Sequence, residues 1–470
     1  MSTSPATNED ILEEGDLQKR RSELLDASNE LLEEEDLSTL RLILNNQHGS
    51  DLAEMLSNIS SDDKLRVFQL LAYPIAADVI IEIDASSRLT IIENLGDHMI
   101  ARLVEQMEPD DAADVLGDLD KDQLDSVMDL LAEDTTEHVG ELLPHEEDTG
   151  GGIMTSRLVE LKASMTVADA ITYLQSWASE DEVFYLYVID DEQHLIGTVP
   201  LLRLLLADHA TSIGTLTDSD PLTVPTGMDQ EEVAQIFADF HLMALPVVDT
   251  DGKLAGQITI DDIVDVIQDE ATEDIYEMAA MSSDELEERS VFGVVRRRLP
   301  WLLVCLIGTL LSGGVIDYFA TPLGRLVTTL MLFVPAIMAM GGNSGIQTST
   351  VTVRNMAVGN LQPGTIAMVV LRELRIASTM GVLLGFLVYL VARVWTDDPI
   401  IAVCVGAAMC MAIILSAALG ALIPLFFNKV GIDPAVASGP LITTLNDGLS
   451  LILYFSISIL LLTYMKPIAM

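Results

Sequence analysis

Residues 431–455 read GIDPAVASGPLITTLNDGLSLILYF. They lie largely within an apolar segment, 435–464, which is long enough to cross a bilayer and carries one charged residue, Asp447. A carboxylate at that depth costs about 3 kcal/mol or more, so it is retained mainly where it faces a bundle interior or a water-filled path. Every Lys and Arg beyond residue 300 flanks an apolar segment or lies in a connection. The sequence therefore predicts a mobile cation as the partner of Asp447.

Composition divides the chain of 470 residues into an acidic half and an apolar half. The net charge is −49, although the mean hydropathy is +0.38. Residues 291–470 hold ten Lys and Arg against six Asp and Glu, a net of +4, which leaves 14 basic and 67 acidic groups in the first 290 residues. Such acidity argues against nucleic acid as a partner and favours cations, because phosphates would be repelled.

Five apolar stretches in the second half predict five transmembrane helices, at residues 300–319, 326–346, 376–394, 399–427 and 435–464. Arg296, Arg297 and Arg298 stand directly before the first stretch, and Arg354 lies between the second and third. By the positive-inside rule the large N-terminal region is cytoplasmic and the C-terminus is outside.

The acidic half is predicted to begin with a disordered segment, 1–20, followed by a helical domain, 21–145. Segments such as 84–95, DASSRLTIIENL, and 120–131, DKDQLDSVMDLL, open with Asp and continue with apolar residues at helical spacing. Asp or Ser at such starts caps free N–H groups. The recurrence of about a dozen residues predicts one short helix per unit in a superhelical stack.

Residues 146–269 change to a repeated pattern of helix, strand, Asp/Gly turn, strand and helix. FYLYVIDDEQHLIGTVPLLRLL in the first copy corresponds to MALPVVDTDGKLAGQITIDDIVDVI in the second. This order resembles a tandem pair of cystathionine-β-synthase (CBS) domains, a family that often binds adenine nucleotides such as ATP between its copies. Asp261 matches the ribose-contacting aspartate of that family, whereas Pro200 stands at the equivalent place in the first copy. The resemblance therefore implies at most one such site.

A charged amphipathic segment, 270–298, joins the CBS pair to the transmembrane domain, 299–470. It reads as a connecting helix that either serves as a passive linker or transmits a cytoplasmic event to the pore.

The second apolar stretch ends in PAIMAMGGNSG, residues 335–345. Pro335 and the glycines that follow predict a break in the helix, and broken backbone at membrane depth is tolerated only when it is buried or lines a wet cavity. Asn343 and Gln347 add neutral oxygen ligands. Close packing of small residues is an equally good reading of the glycines.

Asp433 precedes Asp447 by 14 positions, about four helical turns, which predicts two carboxylates on one face roughly 21 Å apart. Asp433 would then lie at the cytoplasmic mouth of the pore, unless it is an ordinary helix cap before Pro434. Oxygen ligands without Cys or His favour Mg²⁺, Ca²⁺ or Mn²⁺.

The order of these domains, together with PAIMAMGGNSG and GIDPAVASGPLITTLND, resembles the MgtE family of magnesium channels and transporters from about residue 21 onward. The resemblance implies a homodimer in the cell inner membrane with a central pore. It also implies that the essential pore acid is Asp447, supported by Asn343 and Asp433.

The resemblance further implies a cytosolic sensor that binds several Mg²⁺ ions between the helical domain, the CBS pair and the linker. One residue departs from the pattern: His241 stands where the family can carry an acid. The implied sensor acids are Asp110, Asp114, Glu231, Asp262, Asp265, Glu270, Glu273 and Asp274.

The expected protein is thus multidomain: an all-α cytosolic superhelix, an α/β CBS pair, a linker helix and an α-helical bundle of five spans. Its expected function is Mg²⁺ uptake through a channel that closes when cytoplasmic Mg²⁺ is plentiful, with membrane lipid, Mg²⁺ and a second copy as partners. An enzyme is not expected, because the chain lacks a phosphate-cradling loop, a nucleophile elbow and metal-hydrolase spacing. A CBS-regulated anion channel and a non-transporting Mg²⁺ or nucleotide sensor are the alternatives.

Overall fold

The computed structural model describes residues 14–177, 183–282, 285, 290–357, 364–437 and 439–465, with the backbone alone at residues 14–18, 61, 62 and 437. The chain divides into two compact units, Met1–Ile267 and Gln268–Met470, and each is described by itself. The first helix, α1, spans Glu14–Glu33, so residues 14–20 are helical and the prediction of disorder was wrong there. Residues 1–13 lie outside the described part of the chain.

Nine short helices of eight to ten residues follow α1 in the first unit. Alternate helices pack on one another, as α3 does on α5 and α5 on α7. A helix for each short repeat is therefore confirmed for the region predicted at 21–145, while a superhelical path stays a prediction. The helices are α2 Leu37–Leu44, α3 Gly49–Ser57, α4 Ser61–Phe68, α5 Tyr73–Glu82, α6 Ala85–Ile92, α7 Asp97–Val104, α8 Pro109–Gly117, α9 Lys121–Met128 and α10 Glu133–Leu142.

Aspartate caps begin three of these helices, and two of those caps, Asp84 and Asp120, are the predicted ones. Asp84 and Asp120 each accept a hydrogen bond at 3.0 Å from a backbone N–H in the first turn of α6 and α9. The residue before α8 is Glu108, which makes no such bond, and Pro109 opens that helix instead. Proline suits this position because its fixed φ is helical and its missing N–H would have been unpaired.

The rest of the first unit contains two three-stranded sheets with the same strand order, β1-β2-β3 and β4-β5-β6. In each sheet the first pair is parallel and the second is antiparallel. Gly197 pairs with Val188 in one sheet as Gly256 pairs with Val247 in the other, which confirms the repeat. The elements are β1 Glu160–Lys162, α11 Val167–Ser176, β2 Tyr185–Ile189, β3 Leu195–Pro200, α12 Leu201–Leu206, α13 Ile213–Leu216, β4 Val224–Pro225, α14 Gln230–Phe240, β5 Ala244–Val248, β6 Leu254–Thr259 and α15 Ile260–Met278.

The second unit is helical and contains four described helices that are long and apolar enough to cross a membrane: α16, α19, α20 and α21. Helix α20 lies at its centre and packs against α18, α19 and α21 through small residues such as Gly406, Ser416 and Gly420. The helices are α16 Val291–Leu323, α17 Leu326–Met331, α18 Val334–Ala357, α19 Ile366–Trp395, α20 Pro399–Val430 and α21 Pro440–Met465, with a 3-10 turn at Ala435–Ala437.

The second predicted span, 326–346, instead falls on α17 and the first half of α18. Helix α18 is less apolar than the four candidate spans because it carries Asn343, Gln347 and several Ser and Thr residues. It runs without a break from Val334 to Ala357, so the predicted break at Pro335 and the glycines was wrong. The glycines pack instead: a Cβ on Gly345 would come within 2.6 Å of Ser416 Oγ.

The connections also differ from the sequence prediction. The segment 270–298 is not one helix, because α15 ends at Met278 and α16 begins at Val291, where Ser290 caps the new helix. Asp433 and Asp447 do not share a helix, so the same-face argument was wrong. Pro440, which has no N–H to donate, starts α21 only seven residues before Asp447.

Candidate pore and cation-sensing sites

Asp447 lies two turns into α21 and is half-buried. On one side of it, Thr443 and Asn446 pack against α18 at Gly342 and Gly341. On the other side, Thr444 and Gly448 face α16. Among the described residues no ion pair involves Asp447. The carboxylate therefore lies between two helix contacts, partly open to its surroundings.

Asn343 lies on α18 and is exposed. It directly follows Gly342, whose added Cβ would stand 3.7 Å from Thr443 Cγ2 on α21. The structure thus brings the helix of Asn343 against the helix of Asp447 at this level. Both side chains offer oxygen ligands of the kind that hard divalent cations prefer.

Asp433 lies in the connection between α20 and α21, where its Oδ1 accepts a hydrogen bond of 2.6 Å from the Ala435 N–H. The capping reading is therefore supported locally. Asp433 also lies near Asp274 and Glu277 of α15. After burial, the charge of Asp433 is the next cause that raises the pKa of each of these two residues. The structure brings two of the predicted residues, Asp433 and Asp274, together.

Glu277 is the residue that sequence reasoning missed here. Burial first, then the charge of Asp433 and a hydrogen bond with it, raise the pKa of Glu277 to about 8. Its Oε2 is buried without a hydrogen-bond partner among the described residues. The sequence signal that could have identified Glu277 is its spacing from Glu273 and Asp274, which places the three acids on one stretch of helix surface.

A second acidic cluster lies within the first unit, between α8 and the start of α15. Asp110 is buried and its Oδ1 has no hydrogen-bond partner in the described structure. Burial and the charges of Asp262 and Asp111 raise the pKa of Asp110 well above its usual value. Burial also raises the pKa of Asp114 to about 6, although the Arg88 guanidinium opposes the shift. The predicted residues Asp110, Asp114 and Asp262 are thus brought together.

Asp111 is a further member that sequence reasoning missed. Burial, followed by the charges of Asp262 and Glu108, raises the pKa of Asp111 to about 8. Asp262 itself is held by Thr259, whose Oγ1 donates to Oδ2 at 2.7 Å, yet burial still raises its pKa to about 6. Asp265 contributes to that shift through its charge. Crowded carboxylates of this kind are stable only when protonated or bridged by a cation.

The remaining predicted sensor acids, Glu231, Glu270 and Glu273, lie on α14 and α15. Glu231 lies in the first turn of α14, where its N–H donates to Asp229. Glu270 and Glu273 lie on α15, and Glu273 contributes to the raised pKa of Glu277. His241 ends α14 in a left-handed conformation, with φ of 54°. In the described residues no group of three or more His, Cys, Asp or Glu is arranged to hold a metal ion directly.

Asp261 lines a cavity of about 640 Å³ in the first unit. Thr155, Phe184 and Thr259 of the CBS pair line it as well, and Thr155 Oγ1 is buried without a hydrogen-bond partner among the described residues. Acids outnumber bases among the lining residues: Asp78, Glu108, Asp111 and Asp261 stand against Arg157. The cavity therefore suits a ligand with hydroxyl groups and a positive or neutralised charge.

Comparison with known proteins assigns these domains. Residues 47–148 match the MgtE intracellular N domain, residues 151–210 and 213–269 match the CBS domain, and residues 334–457 match the MgtE divalent cation transporter domain. A solved structure described as the cytosolic domain of the Mg²⁺ channel MgtE in complex with ATP is 32% identical; it covers 52% of this chain and 99% of that one, with a TM-score of 0.49.

Two full-length relatives extend the match. The magnesium transporter MgtE of Thermus thermophilus is 32% identical over 92% of this chain and 97% of its own length. That of Bacillus subtilis is 30% identical over 91% of this chain and 95% of its own. Proteins of this family are transporters and not enzymes. The chain belongs to the MgtE family of divalent cation transporters.

Proposed function

We propose that this protein is a homodimeric Mg²⁺-selective channel or transporter of the cell inner membrane that takes up magnesium. The observation that carries the proposal is Asp447: a half-buried carboxylate in a candidate span, without an ion pair in the described structure. Mg²⁺ dehydrates reluctantly, so one or two carboxylates that meet a largely hydrated ion are sufficient for binding. In a two-fold dimer with its pore on the axis, the two copies of Asp447 would face one another.

Asn343 and Asp433 complete the proposed permeation path. Asn343 would contact the water shell of the ion beside Asp447, and Asp433 would receive it at the cytoplasmic mouth. In this arrangement α18 is the fifth span, packed behind α20 and α21. An odd number of spans places the N-terminal region in the cytoplasm and the C-terminus outside, in agreement with Arg296–Arg298 before the first span.

Cytoplasmic Mg²⁺ would close this path through the acidic clusters. Without a cation, Asp110, Asp114 and Asp262 repel one another, and so do Asp274, Glu277 and Asp433. Mg²⁺ between them would favour the compact arrangement, because the ion binds that state more tightly than the separated one. Glu231, Asp265, Glu270 and Glu273 are proposed as further ligands of these ions.

A nucleotide such as ATP is the proposed ligand of the cavity beside Asp261. The Asp261 carboxylate would accept hydrogen bonds from the ribose hydroxyls, and Phe184 supplies an apolar surface for the base. The excess of carboxylates in the lining means that the phosphates would enter neutralised by Mg²⁺. Nucleotide occupancy would then be linked to the same cation that closes the pore.

The proposal is tested with purified full-length protein in liposomes, by Mg²⁺ uptake. We expect uptake by the wild type, loss of more than about 90% of it in Asp447→Ala, and no chloride permeability. If Asp447→Ala takes up Mg²⁺ as the wild type does, the assignment of Asp447 to the pore is wrong. Chloride permeability would favour an anion channel, and the absence of any flux would favour a membrane-bound sensor.

A further inference from the structure

Asn446 is a buried amide immediately before Asp447 on α21. Its side chain has no exposed surface. Oδ1 accepts a hydrogen bond of 3.0 Å from Ser450 Oγ, whereas Nδ2 has no partner among the described residues. Apolar side chains fill most buried positions in a span, and an unpaired donor there is unfavourable. Burial of apolar surface therefore does not explain why an asparagine occupies this position.

The amide lies directly against the glycine segment of α18. A Cβ on Gly341 would come within 2.8 Å of Asn446 Nδ2 and 3.2 Å of its Oδ1. The carbonyl of Gly341 accepts a hydrogen bond from Ser416 of α20. Gly341 is therefore held between α20 and the amide of α21. Gly341 lies two residues before Asn343 on α18, and Asn446 lies one residue before Asp447 on α21. The contact between Gly341 and Asn446 is therefore close to both proposed pore residues.

We propose that Asn446 is a positioning residue for permeation: its amide sets how closely α21 approaches α18, and so fixes Asp447 relative to Asn343. This inference rests on the proposed role of Asp447 in the pore. Neither Asn446 nor Gly341 touches the ion. Their contact determines the depth at which the carboxylate and the neutral oxygen of Asn343 meet it, because both helices continue without a break through this level.

The double replacement of Gly341 and Asn446 separates positioning from packing. Gly341→Ala should lower the thermal midpoint in detergent, because its methyl group meets Nδ2. Gly341→Ala with Asn446→Ala should restore that midpoint, because the methyl group occupies the space of the amide. We expect the half-saturating Mg²⁺ concentration for uptake to stay raised about tenfold in Asn446→Ala and in the double variant, since a group misplaced by about 1 Å loses one to two orders of magnitude of function. A wild-type half-saturating concentration in the double variant would overturn the proposal.

Gly345→Ala is the matched control for the pair. Its Cβ would meet Ser416 Oγ at 2.6 Å and Ile442 Cγ2 at 2.9 Å, so Asn446→Ala should not restore its thermal midpoint. Restoration there would show that Asn446→Ala stabilises the bundle in general, and would overturn the specific contact. Ser450→Ala keeps the amide and removes the bond to its Oδ1. It should raise the half-saturating concentration in the same direction, and an unchanged value at a wild-type thermal midpoint contradicts the proposal.

Asp447→Asn in the same liposomes distinguishes this inference from the proposed function. If Asp447→Asn transports Mg²⁺ like the wild type, the pore assignment fails, and the positioning role of Asn446 fails with it. If Asp447→Asn loses uptake while the Asn446 variants keep wild-type kinetics, only the positioning role fails.

Discussion

Glu277, at the end of α15, forms a hydrogen bond with Asp433, in the connection between α20 and α21. Burial and the charge of Asp433 raise the pKa of Glu277 to about 8, so Glu277 is largely protonated near neutral pH. A carboxyl group with a raised pKa favours the contact at low pH. That contribution is lost as the pH rises toward and through about 8, because Glu277 then loses its proton and with it the hydrogen bond to Asp433.

This pair predicts a pH dependence of uptake. At low cytoplasmic Mg²⁺, uptake by the wild type should increase between pH 7 and pH 9 as Glu277 loses its proton and the contact with Asp433 weakens. Glu277→Gln should flatten this increase, because the amide stays neutral and can still donate a hydrogen bond to Asp433. Uptake into liposomes at fixed Mg²⁺ measures both, with Glu137→Gln, at an exposed position of α10, as the control. A Glu277→Gln variant with the full wild-type increase would contradict the prediction.

The raised pKa of Asp111 predicts a variant that needs less Mg²⁺ to stay compact. Burial and the charges of Asp262 and Glu108 disfavour the ionised form of Asp111, so above about pH 8 its charge opposes the compact arrangement. Asp111→Asn removes that charge, so at pH 9 the full-length protein without Mg²⁺ should resist limited proteolysis as the wild type does with Mg²⁺. Asp122→Asn, at an exposed position of α9, should be cut like the wild type. Equal cutting of both variants would refute this role of Asp111.

The contact between α18 and α20 predicts a strict requirement for glycine at position 420. A Cβ there would overlap the carbonyl oxygen of Gly345. Gly420→Ala should therefore cost about 1–3 kcal/mol and lower the thermal midpoint in detergent. Gly314→Ala on α16 is the control, because nothing lies within 4 Å of its added Cβ and alanine is the better helix former. Equal thermal midpoints for the two variants would show that α18 and α20 can move apart to fit the methyl group without loss of stability.

The cavity beside Asp261 predicts nucleotide binding that depends on Mg²⁺. Full-length protein should bind ATP more tightly with Mg²⁺ than without it, because four carboxylates line the cavity. Asp261→Ala should weaken equilibrium binding by about tenfold, the effect of losing roughly 1.4 kcal/mol of hydrogen bonding to ribose. Asp251→Ala in the exposed turn before β6 should bind like the wild type. Tighter binding in the absence of Mg²⁺ would exclude this cavity as the phosphate site.

The sequence predicted those features that depend on neighbouring residues. The caps at Asp84 and Asp120 were predictable because each carboxylate accepts a hydrogen bond from a backbone N–H only three residues further along the chain. The two CBS copies were recognisable because strand and turn signals recur in the same order. Family motifs supplied Asp110, Asp114 and Asp262, which the structure then placed together.

Contacts between distant segments were beyond prediction from a single sequence. Glu277 and Asp433 are 156 positions apart, and no local pattern connects them. The glycines of residues 341–345 suit a broken helix and a close helix contact equally well, and only the positions of Ser416, Gly420 and Asn446 decide between the two. The same-face argument for Asp433 and Asp447 failed because it assumed that the helix continues through Pro440.

Helix α16 carries Arg296–Arg298 and the first candidate span on one rod of 33 residues, about 50 Å long. Pro300 has no N–H for the carbonyl of Arg296, so the rod is weakest where the arginines meet the apolar stretch. A force applied at Val291 would therefore be expected to bend the helix at Pro300 and so tilt the span relative to the arginines. A tilt of about 5° about Pro300 would move Leu323, which lies roughly 35 Å farther along the helix, by about 3 Å, the width of one water molecule.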